Sequence, residues 1–152
     1  MTIKRLAFEV ESRELTIVAK LRSCFDNFWG KNISDMQLLA LAKKLGENAE
    51  FCVAEDLVWG CLGCVAYYRN NLETKVAFLS ILVTKKGFEN KGIGSLLLDA
   101  VEKDCLRHDF VSIQLEVAAD NDVAITFYTK RNYLLTGVGK QGYLCYSKNL
   151  GI

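Results

Sequence analysis

The sequence predicts an α/β domain in which one mixed sheet carries helices on its faces. Short apolar runs typical of strands alternate with segments whose apolar residues recur every three or four positions, as in amphipathic helices. A chain of 152 residues with 51% hydrophobic composition can bury one sizeable core, but it is too short for two ordinary domains. We therefore expect a single domain over residues 1–152.

The N-terminal part predicts one strand and two helices. Residues 2–9 alternate weakly between apolar and polar types, which predicts an edge strand. Apolar residues at helical spacing predict a helix over 15–29. The run Ser34-Asp35-Met36-Gln37 has the form of a capping box, so a second helix should cover about 35–45 and stop at Gly46.

The rest of the chain predicts further strands separated by two helices. Clusters of Asp, Asn and Gly residues mark the turns between the apolar runs. The predicted strands are 49–54, 58–68, 75–84, 111–117, 134–137 and 143–147, and the predicted helices are 91–108 and 122–131. The last two strands should form a hairpin, which completes the order β, α, α, β, β, β, α, β, α, β, β.

Composition and charge exclude several classes of partner. The net charge of +1 gives no overall attraction to nucleic acid or to an anionic membrane. No apolar run reaches the roughly 18 residues that a membrane span needs. The N-terminus meets charged residues too early for a secretory signal, so we expect a cytoplasmic protein.

The six cysteines predict reduced core thiols rather than a metal site. Cys61 and Cys64 form a C-x-x-C motif, but the motif lies within an apolar, strand-like run. The chain has no second pair at zinc spacing and only one histidine, so we expect no metal.

The segment from Leu82 to Val101 carries the clearest functional signal. A buried strand leads into a basic loop, and Gly92 and Gly94 then lie in the first turn of an amphipathic helix. Unpaired backbone N–H groups at such a helix start suit an anion such as a pyrophosphate. The alternative is an ordinary strand-to-helix turn with solvated lysines. The loop lacks a third glycine at Leu97, and no Gly-Lys-Ser/Thr follows, so neither the dinucleotide fingerprint nor a P-loop is present.

Two blocks of the chain together resemble the GNAT N-acetyltransferases. The typical cofactor loop of that family, Arg/Gln-x-x-Gly-x-Gly/Ala, corresponds here to Glu89-Asn90-Lys91-Gly92-Ile93-Gly94. The second family block corresponds to Leu115-Glu116-Val117, Asn121, Ala124, Phe127-Tyr128 and Asn132-Tyr133. The resemblance covers about residues 50–147. Glu89 departs from the usual Arg or Gln, and Asn132 replaces a glycine that follows the last helix, although Asn tolerates the left-handed conformation needed there.

The resemblance implies a mixed, mostly antiparallel sheet of about seven strands and transfer of an acetyl group from acetyl-CoA to an amine. Acetyl-CoA would lie in a V-shaped gap between the strand ending at Val83 and the strand ending at Val117, with main-chain groups of the first strand along its pantetheine arm. The implied cofactor-binding residues are Leu82, Val83, Thr84, Glu89, Asn90, Lys91, Gly92, Ile93, Gly94, Ser95, Asn121, Ala124 and Tyr128.

The resemblance also implies catalytic roles. Tyr128 would protonate the departing CoA thiolate as a general acid; its alternative is a core aromatic residue. Glu116 would remove the proton from the amine, directly or through water, because a lysine-type amine with a pKa of about 10.4 is protonated at neutral pH. Its alternative is a hydrogen-bonded strand carboxylate. Asn121 would contact the cofactor or a water, or cap a helix instead.

The acceptor is less well specified. By resemblance it would be held by the first two helices, their connection at Gly30-Lys31-Asn32 and the late hairpin, with the aromatic residues Phe25, Trp29, Tyr67, Tyr68 and Tyr143 as candidates. The alternative is that these aromatic residues belong to the core. A small amine and a peptide N-terminus both remain open, and the protein could be a monomer or a homodimer. A non-catalytic CoA-binding module of the same fold is the alternative function.

Overall fold

The computed structural model of the chain describes residues 1–5, 13–24 and 34–151. Its elements follow the predicted order. They are β1 (Thr2–Arg5), α1 (Arg13–Cys24), α2 (Asp35–Asn48), β2 (Glu50–Asp56), β3 (Gly60–Tyr68), β4 (Val76–Thr84), α3 (Ile93–Arg107), β5 (Ser112–Ala118), α4 (Asp122–Lys130), β6 (Leu134–Val138) and β7 (Tyr143–Asn149). A single 3₁₀ turn, Lys140–Gly142, connects β6 to β7.

The strands form one seven-stranded sheet in the order β1-β2-β3-β4-β5-β7-β6. Every neighbouring pair is antiparallel except β4 and β5, which are parallel. A parallel pair needs a crossover connection, and α3 provides it. The mixed, mostly antiparallel sheet of seven strands is therefore confirmed, and β1 is the edge strand that the sequence predicts.

Helices cover both faces of the sheet, and the sheet separates two hydrophobic cores. The face covered by α3 and α4 buries one hydrophobic cluster, which includes Leu97, Val101, Leu115 and Tyr128. The face covered by α1 and α2 buries the other, which includes Leu21 and Leu45. We call these the α3/α4 face and the α1/α2 face. Strand β3 is buried on both faces, because it lies near the centre of the sheet.

The helix ends show which local signals control the fold. Ser34 and Gln37 form the predicted capping box at the start of α2. The predicted stop at Gly46 is wrong, because α2 continues to Asn48 and Leu45 and Ala49 are both buried. After α4, Asn132 adopts the left-handed conformation, with φ of 70°. That conformation is the one expected of the residue that replaces glycine there.

Candidate active site

The central feature of the site is a gap between β4 and β5. The two strands pair only through Val76–Phe78 and Ser112–Gln114. Beyond Phe78, β4 continues to Thr84 and β5 continues to Ala118 without pairing to each other. From that point, alternate backbone groups of β4 face the gap without a partner strand in the described part of the chain. This arrangement is the V-shaped gap that the sequence resemblance implies.

A bulge in β4 lies at the point where the gap opens. Ala66 of β3 pairs with Ile81 and Tyr67 pairs with Leu79, so Ser80 is an extra residue in β4. Such a residue bends its strand and shifts the alternation of side chains by one position. Leu79 therefore packs in the core of the α3/α4 face, whereas Ile81 packs in the core of the α1/α2 face. Nothing in the apolar run of β4 predicts this bulge.

The N-terminus of α3 presents unpaired backbone donors. Its N-cap, Gly92, has φ of 80° and provides no side-chain cap, and the first turn contains no acidic residue. The first internal hydrogen bond runs from the Leu96 N–H to the Gly92 carbonyl. The N–H groups of Ile93, Gly94 and Ser95 consequently have no protein acceptor in the described part of the chain. A 15-residue helix with free N–H groups favours an anion at this end.

The loop before α3 is shaped by three residues with positive φ: Gly87 at 91°, Asn90 at 60° and Gly92 at 80°. The Glu89 carboxylate accepts a hydrogen bond of 2.8 Å from the Gly87 N–H. Glu89 therefore already occupies one donor of the loop and brings negative charge beside the others. Lys85, Lys86 and Lys91 in the same loop provide positive charge that offsets it.

Helix α4 lies against the start of α3 and carries the predicted acid. A Cβ atom on Gly94 would lie at an ordinary van der Waals distance, 3.5 Å, from the Phe127 ring, so the two helices are neighbours at this position. Tyr128 follows Phe127 and is only 7% exposed. Its ring packs edge-to-face against Phe127 and Tyr133, with centroids 5.2 and 5.6 Å apart.

The Tyr128 hydroxyl has no hydrogen-bond partner in the described part of the chain. Among fully buried polar side-chain atoms there, only the Arg131 Nε lacks a partner, so the phenol oxygen retains contact with solvent. Burial raises the pKa of Tyr128 well above its usual value of 10. The phenol is therefore protonated at neutral pH, and its O–H donates to no other side chain in the described part of the chain.

Asn121 is the N-cap of α4. Its Oδ1 accepts a hydrogen bond of 3.1 Å from the Ala124 N–H, which is the helix-cap alternative considered for this residue. The cap uses the carbonyl oxygen and leaves the two amide donors for another partner. Ala124 is half-buried beside the core of the α3/α4 face.

Glu116 lies on the other face of the sheet. Leu115 and Val117 pack in the α3/α4 core, so the intervening Glu116 points toward the α1/α2 face, where it is exposed. It pairs across the sheet with Cys145 of β7. A Cβ atom on Gly139 would lie 3.4 Å from the Glu116 Oε1 and 3.3 Å from the Cys145 Sγ. This glycine, which no sequence motif marks, leaves space for both side chains.

A groove crosses the α1/α2 face at the level where β4 and β5 separate. One recess of about 420 Å³ is lined by Tyr68, Asn70, Asn71, Thr74, Val76, Ala77, Phe78 and Gln114. A second, of about 290 Å³, is lined by Phe78, Gln114, Leu115, Glu116, Thr136, Gly137, Val138, Cys145 and Tyr146. Phe78 and Gln114 line both recesses, so the two lie side by side. Tyr143, two residues before Cys145, is partly exposed on the same face of the sheet as Glu116.

The other acceptor candidates divide into two groups. Tyr67 is fully buried, and its hydroxyl donates a 2.6 Å hydrogen bond to Asp104 of α3, so it lies in the α3/α4 core and not in the groove. The neighbouring Tyr68 lines the groove instead. Phe25 and Trp29 lie outside the described residues.

The C-x-x-C motif has a packing role. Cys61 and Cys64 are buried thiols, and the Cys61 Sγ donates a hydrogen bond of 3.5 Å to the Gly63 carbonyl. A Cβ atom on Gly63, which lies between them, would be 2.8 Å from the Val83 carbonyl oxygen and 3.0 Å from the Ile93 Cγ2. Gly63 therefore lets β3, β4 and the start of α3 pack closely. Within residues 1–5, 13–24 and 34–151, no three His, Cys, Asp or Glu side chains are grouped to hold a metal ion. None of the helices in these ranges is long and apolar enough to cross a membrane.

Comparison with known proteins identifies similar sequences and folds. The family described as "Acetyltransferase (GNAT) family" matches residues 16–133. Two Bacillus subtilis (strain 168) proteins match shorter segments. Uncharacterized protein YdhI is 34% identical over 77 residues, which are 51% of this chain and 45% of that protein. Uncharacterized protein YxbD is 45% identical over 47 residues, which are 31% of this chain and 30% of that protein. The chain thus aligns with less than half the length of either relative.

Solved structures share the fold over nearly the whole chain. The PaiA N-acetyltransferase from Thermoplasma acidophilum, in complex with coenzyme A, is 18% identical with a TM-score of 0.70, covering 98% of this chain and 99% of that one. The ribosomal-protein-S18-alanine N-acetyltransferase from Escherichia coli is 14% identical with a TM-score of 0.76, covering 99% and 94%. An acetyltransferase of Staphylococcus aureus Mu50 is 17% identical with a TM-score of 0.70, covering 99% and 100%.

Proposed function

The chain belongs to the GNAT family of acetyltransferases, and from that premise we propose that it transfers an acetyl group from acetyl-CoA to an amine. One observation carries the proposal. The uncapped N-terminus of α3 lies at the end of β4, whose edge is open to the gap, and the buried phenol of Tyr128 packs on Phe127, the α4 residue whose ring lies against this helix start. The fold neighbour that binds coenzyme A supports the choice of ligand.

The donor would lie in the gap between β4 and β5. Its diphosphate would accept hydrogen bonds from the N–H groups of Ile93, Gly94 and Ser95. Its pantetheine arm would pair with the free edge of β4 near Leu82 and Val83, as an added strand does. Bound acetyl-CoA would supply the thioester whose acetyl group the amine acquires.

The two faces of the sheet have different roles in this proposal. Tyr128 belongs to the α3/α4 face, and Glu116 belongs to the α1/α2 face. An acid on one side of the gap and a base on the other suit direct attack. The amine would enter from the groove and lose its proton to Glu116, directly or through one water. Tyr128 would give its proton to the sulfur as the carbon–sulfur bond breaks and the carbon–nitrogen bond forms.

Main-chain donors would stabilise the charge that develops during transfer. A backbone N–H of Leu82 or Val83 that faces the gap would donate to the carbonyl oxygen as this oxygen becomes negative. Such a donor typically contributes about 3–4 kcal/mol in water-excluded sites. The role uses main chain only, which explains why apolar side chains suffice at these positions.

Release of free thiol from acetyl-CoA tests this activity. Panels of amines, sugar amines and short peptides should include at least one acceptor that accelerates thiol release by the wild-type protein. The Tyr128→Phe variant should bind CoA normally and release thiol slowly with the same acceptor. If no acceptor releases thiol while CoA binds, the catalytic proposal is wrong.

That last result would favour a non-catalytic CoA-binding module. One observation supports this alternative: Glu89 places a carboxylate on the Gly87 N–H, where an incoming diphosphate would meet its charge. The proposed acceptor is either a small amine or a peptide N-terminus. Cytoplasmic location and a monomeric or homodimeric state stay predictions.

A further inference from the structure

The turn between β2 and β3 exposes large apolar side chains beside the loop that precedes α3. Leu57, Val58 and Trp59 occupy this turn and are 107%, 81% and 60% exposed. Consecutive exposed apolar residues are uncommon on a soluble surface and indicate a contact site. Among them, Trp59 has the flat aromatic surface that suits a planar ligand.

The turn holds the Trp59 backbone in a defined position. The Asp56 Oδ1 accepts hydrogen bonds from the Val58 N–H at 2.8 Å and the Trp59 N–H at 3.1 Å. Gly60 follows with φ of 72°. An Asx turn closed by a left-handed glycine is a compact hairpin connection. The indole therefore projects from an ordered turn.

Trp59 is also in contact with the loop. Its ring packs edge-to-face on Phe88 at 5.7 Å, and Phe88 in turn packs against the α3/α4 core. The Lys85 Nζ lies 3.4 Å from the Trp59 carbonyl oxygen and 5.9 Å from the centre of the Phe88 ring. An aromatic surface and a cation thus adjoin the loop whose following residues present the free N–H groups of α3.

We propose that Trp59 stacks on the adenine base of the CoA nucleotide. The inference rests on the proposed function, because the diphosphate must first be held at the start of α3. Coenzyme A carries an adenosine 3′-phosphate on the far side of its diphosphate. An exposed indole continuous with a cationic loop offers the base a π-surface and offers the extra phosphate the charges of Lys85 and Lys86.

The stacking has a defined energetic signature. Loss of one base–aromatic contact commonly weakens binding of the nucleotide by roughly tenfold. Because the contact involves only the nucleotide end, it should not affect ligands that lack a base. If Trp59 instead held the loop in position, its removal would weaken the binding of every ligand of the loop equally.

Calorimetric titration with three probes separates these cases. The probes are CoA, adenosine 3′,5′-bisphosphate and 4′-phosphopantetheine. Trp59→Ala should raise Kd about tenfold for the first two and leave the third unchanged, whereas Trp59→Phe should restore most of the affinity. Leu57→Ala, in the same turn, is the matched control and should leave all three Kd values unchanged.

Tryptophan emission provides a second measurement. The chain has two tryptophans, so a Trp29→Phe protein reports on Trp59 alone. CoA and adenosine 3′,5′-bisphosphate should quench this emission, and 4′-phosphopantetheine should not.

Several outcomes would overturn the inference. Equal losses with all three probes would assign Trp59 to loop positioning, and an unchanged CoA affinity would exclude contact with the base. A lower molar mass of the Trp59→Ala protein in solution would identify the turn as an interface between copies. If the wild-type protein binds no CoA, the proposed function fails together with this inference; if CoA binds without an effect of Trp59, only this inference fails.

Discussion

Replacement of Tyr128 by phenylalanine removes one hydroxyl and leaves the ring packing in place. The hydroxyl has no partner in the described part of the chain, so no donor or acceptor there is left unsatisfied. The free energy of unfolding should therefore change by less than about 0.5 kcal/mol. If the phenol is the general acid, kcat should nevertheless fall at least tenfold, and typical general acids contribute about 10²-fold or more.

The assay combines thiol release with calorimetry. The kcat for thiol release from acetyl-CoA should fall, while the Kd for CoA stays within about twofold of wild type. Tyr133→Phe is the matched control, because it removes a second buried hydroxyl from the adjoining ring. That hydroxyl donates to Glu102 at 3.3 Å, so its loss should cost about 0.5–1.5 kcal/mol of stability without lowering kcat. Unchanged turnover in Tyr128→Phe would refute the assigned role.

The pH dependence of Tyr128 has a defined sign. Burial raises the pKa of this phenol, so the folded state keeps a proton that the unfolded state loses above about pH 10. At any pH below about 10, Tyr128 should remain protonated, so its ionisation should not lower kcat in that range. Stability should fall as the pH rises above about 10, and the fall should be smaller in Tyr128→Phe. A decline of kcat near neutral pH that disappears in Tyr128→Phe would contradict this reasoning.

Three further predictions concern the base, the loop and the packing of the sheet. A general base makes kcat/KM rise with pH, and Glu116→Gln should remove this rise. A pH–rate profile identical to that of the wild type would exclude Glu116 as the base. Glu89→Gln, which removes the charge beside the Gly87 N–H, should lower the Kd for CoA about two- to fivefold at low salt and less at high salt; an unchanged or higher Kd would contradict the expected repulsion. Gly63→Ala should destabilise the fold by about 1–3 kcal/mol in urea unfolding, because its Cβ would lie 2.8 Å from the Val83 carbonyl oxygen, and wild-type stability would show that β4 can move away.

Local signals predicted most of the fold. The order of elements followed from apolar periodicity, and the start of α2 followed from the Ser34 and Gln37 capping box. Gly46 did not end α2, because burial of Leu45 within the helix and of Ala49 directly after it outweighs the cost of glycine, which is about 1 kcal/mol. Tertiary packing decided this boundary, and packing is not a local property of the sequence.

The site was less predictable, because its shape depends on where two strands separate. The resemblance implied the gap, but nothing in an apolar run marks Ser80 as the extra residue of a bulge. The orientation of Tyr67 was also hidden, since β3 is buried on both faces and its apolar run does not alternate. Gly63 and Gly139 gave no signal, since their importance lies in neighbours distant in the sequence.

A crystal structure of the complex with coenzyme A would show whether the gap between β4 and β5 is the donor site. The diphosphate should accept hydrogen bonds from the N–H groups of Ile93, Gly94 and Ser95. The pantetheine arm should lie along β4, and the sulfur should lie beside the Tyr128 hydroxyl. A coenzyme bound elsewhere, or a sulfur distant from this phenol, would contradict the proposed mechanism.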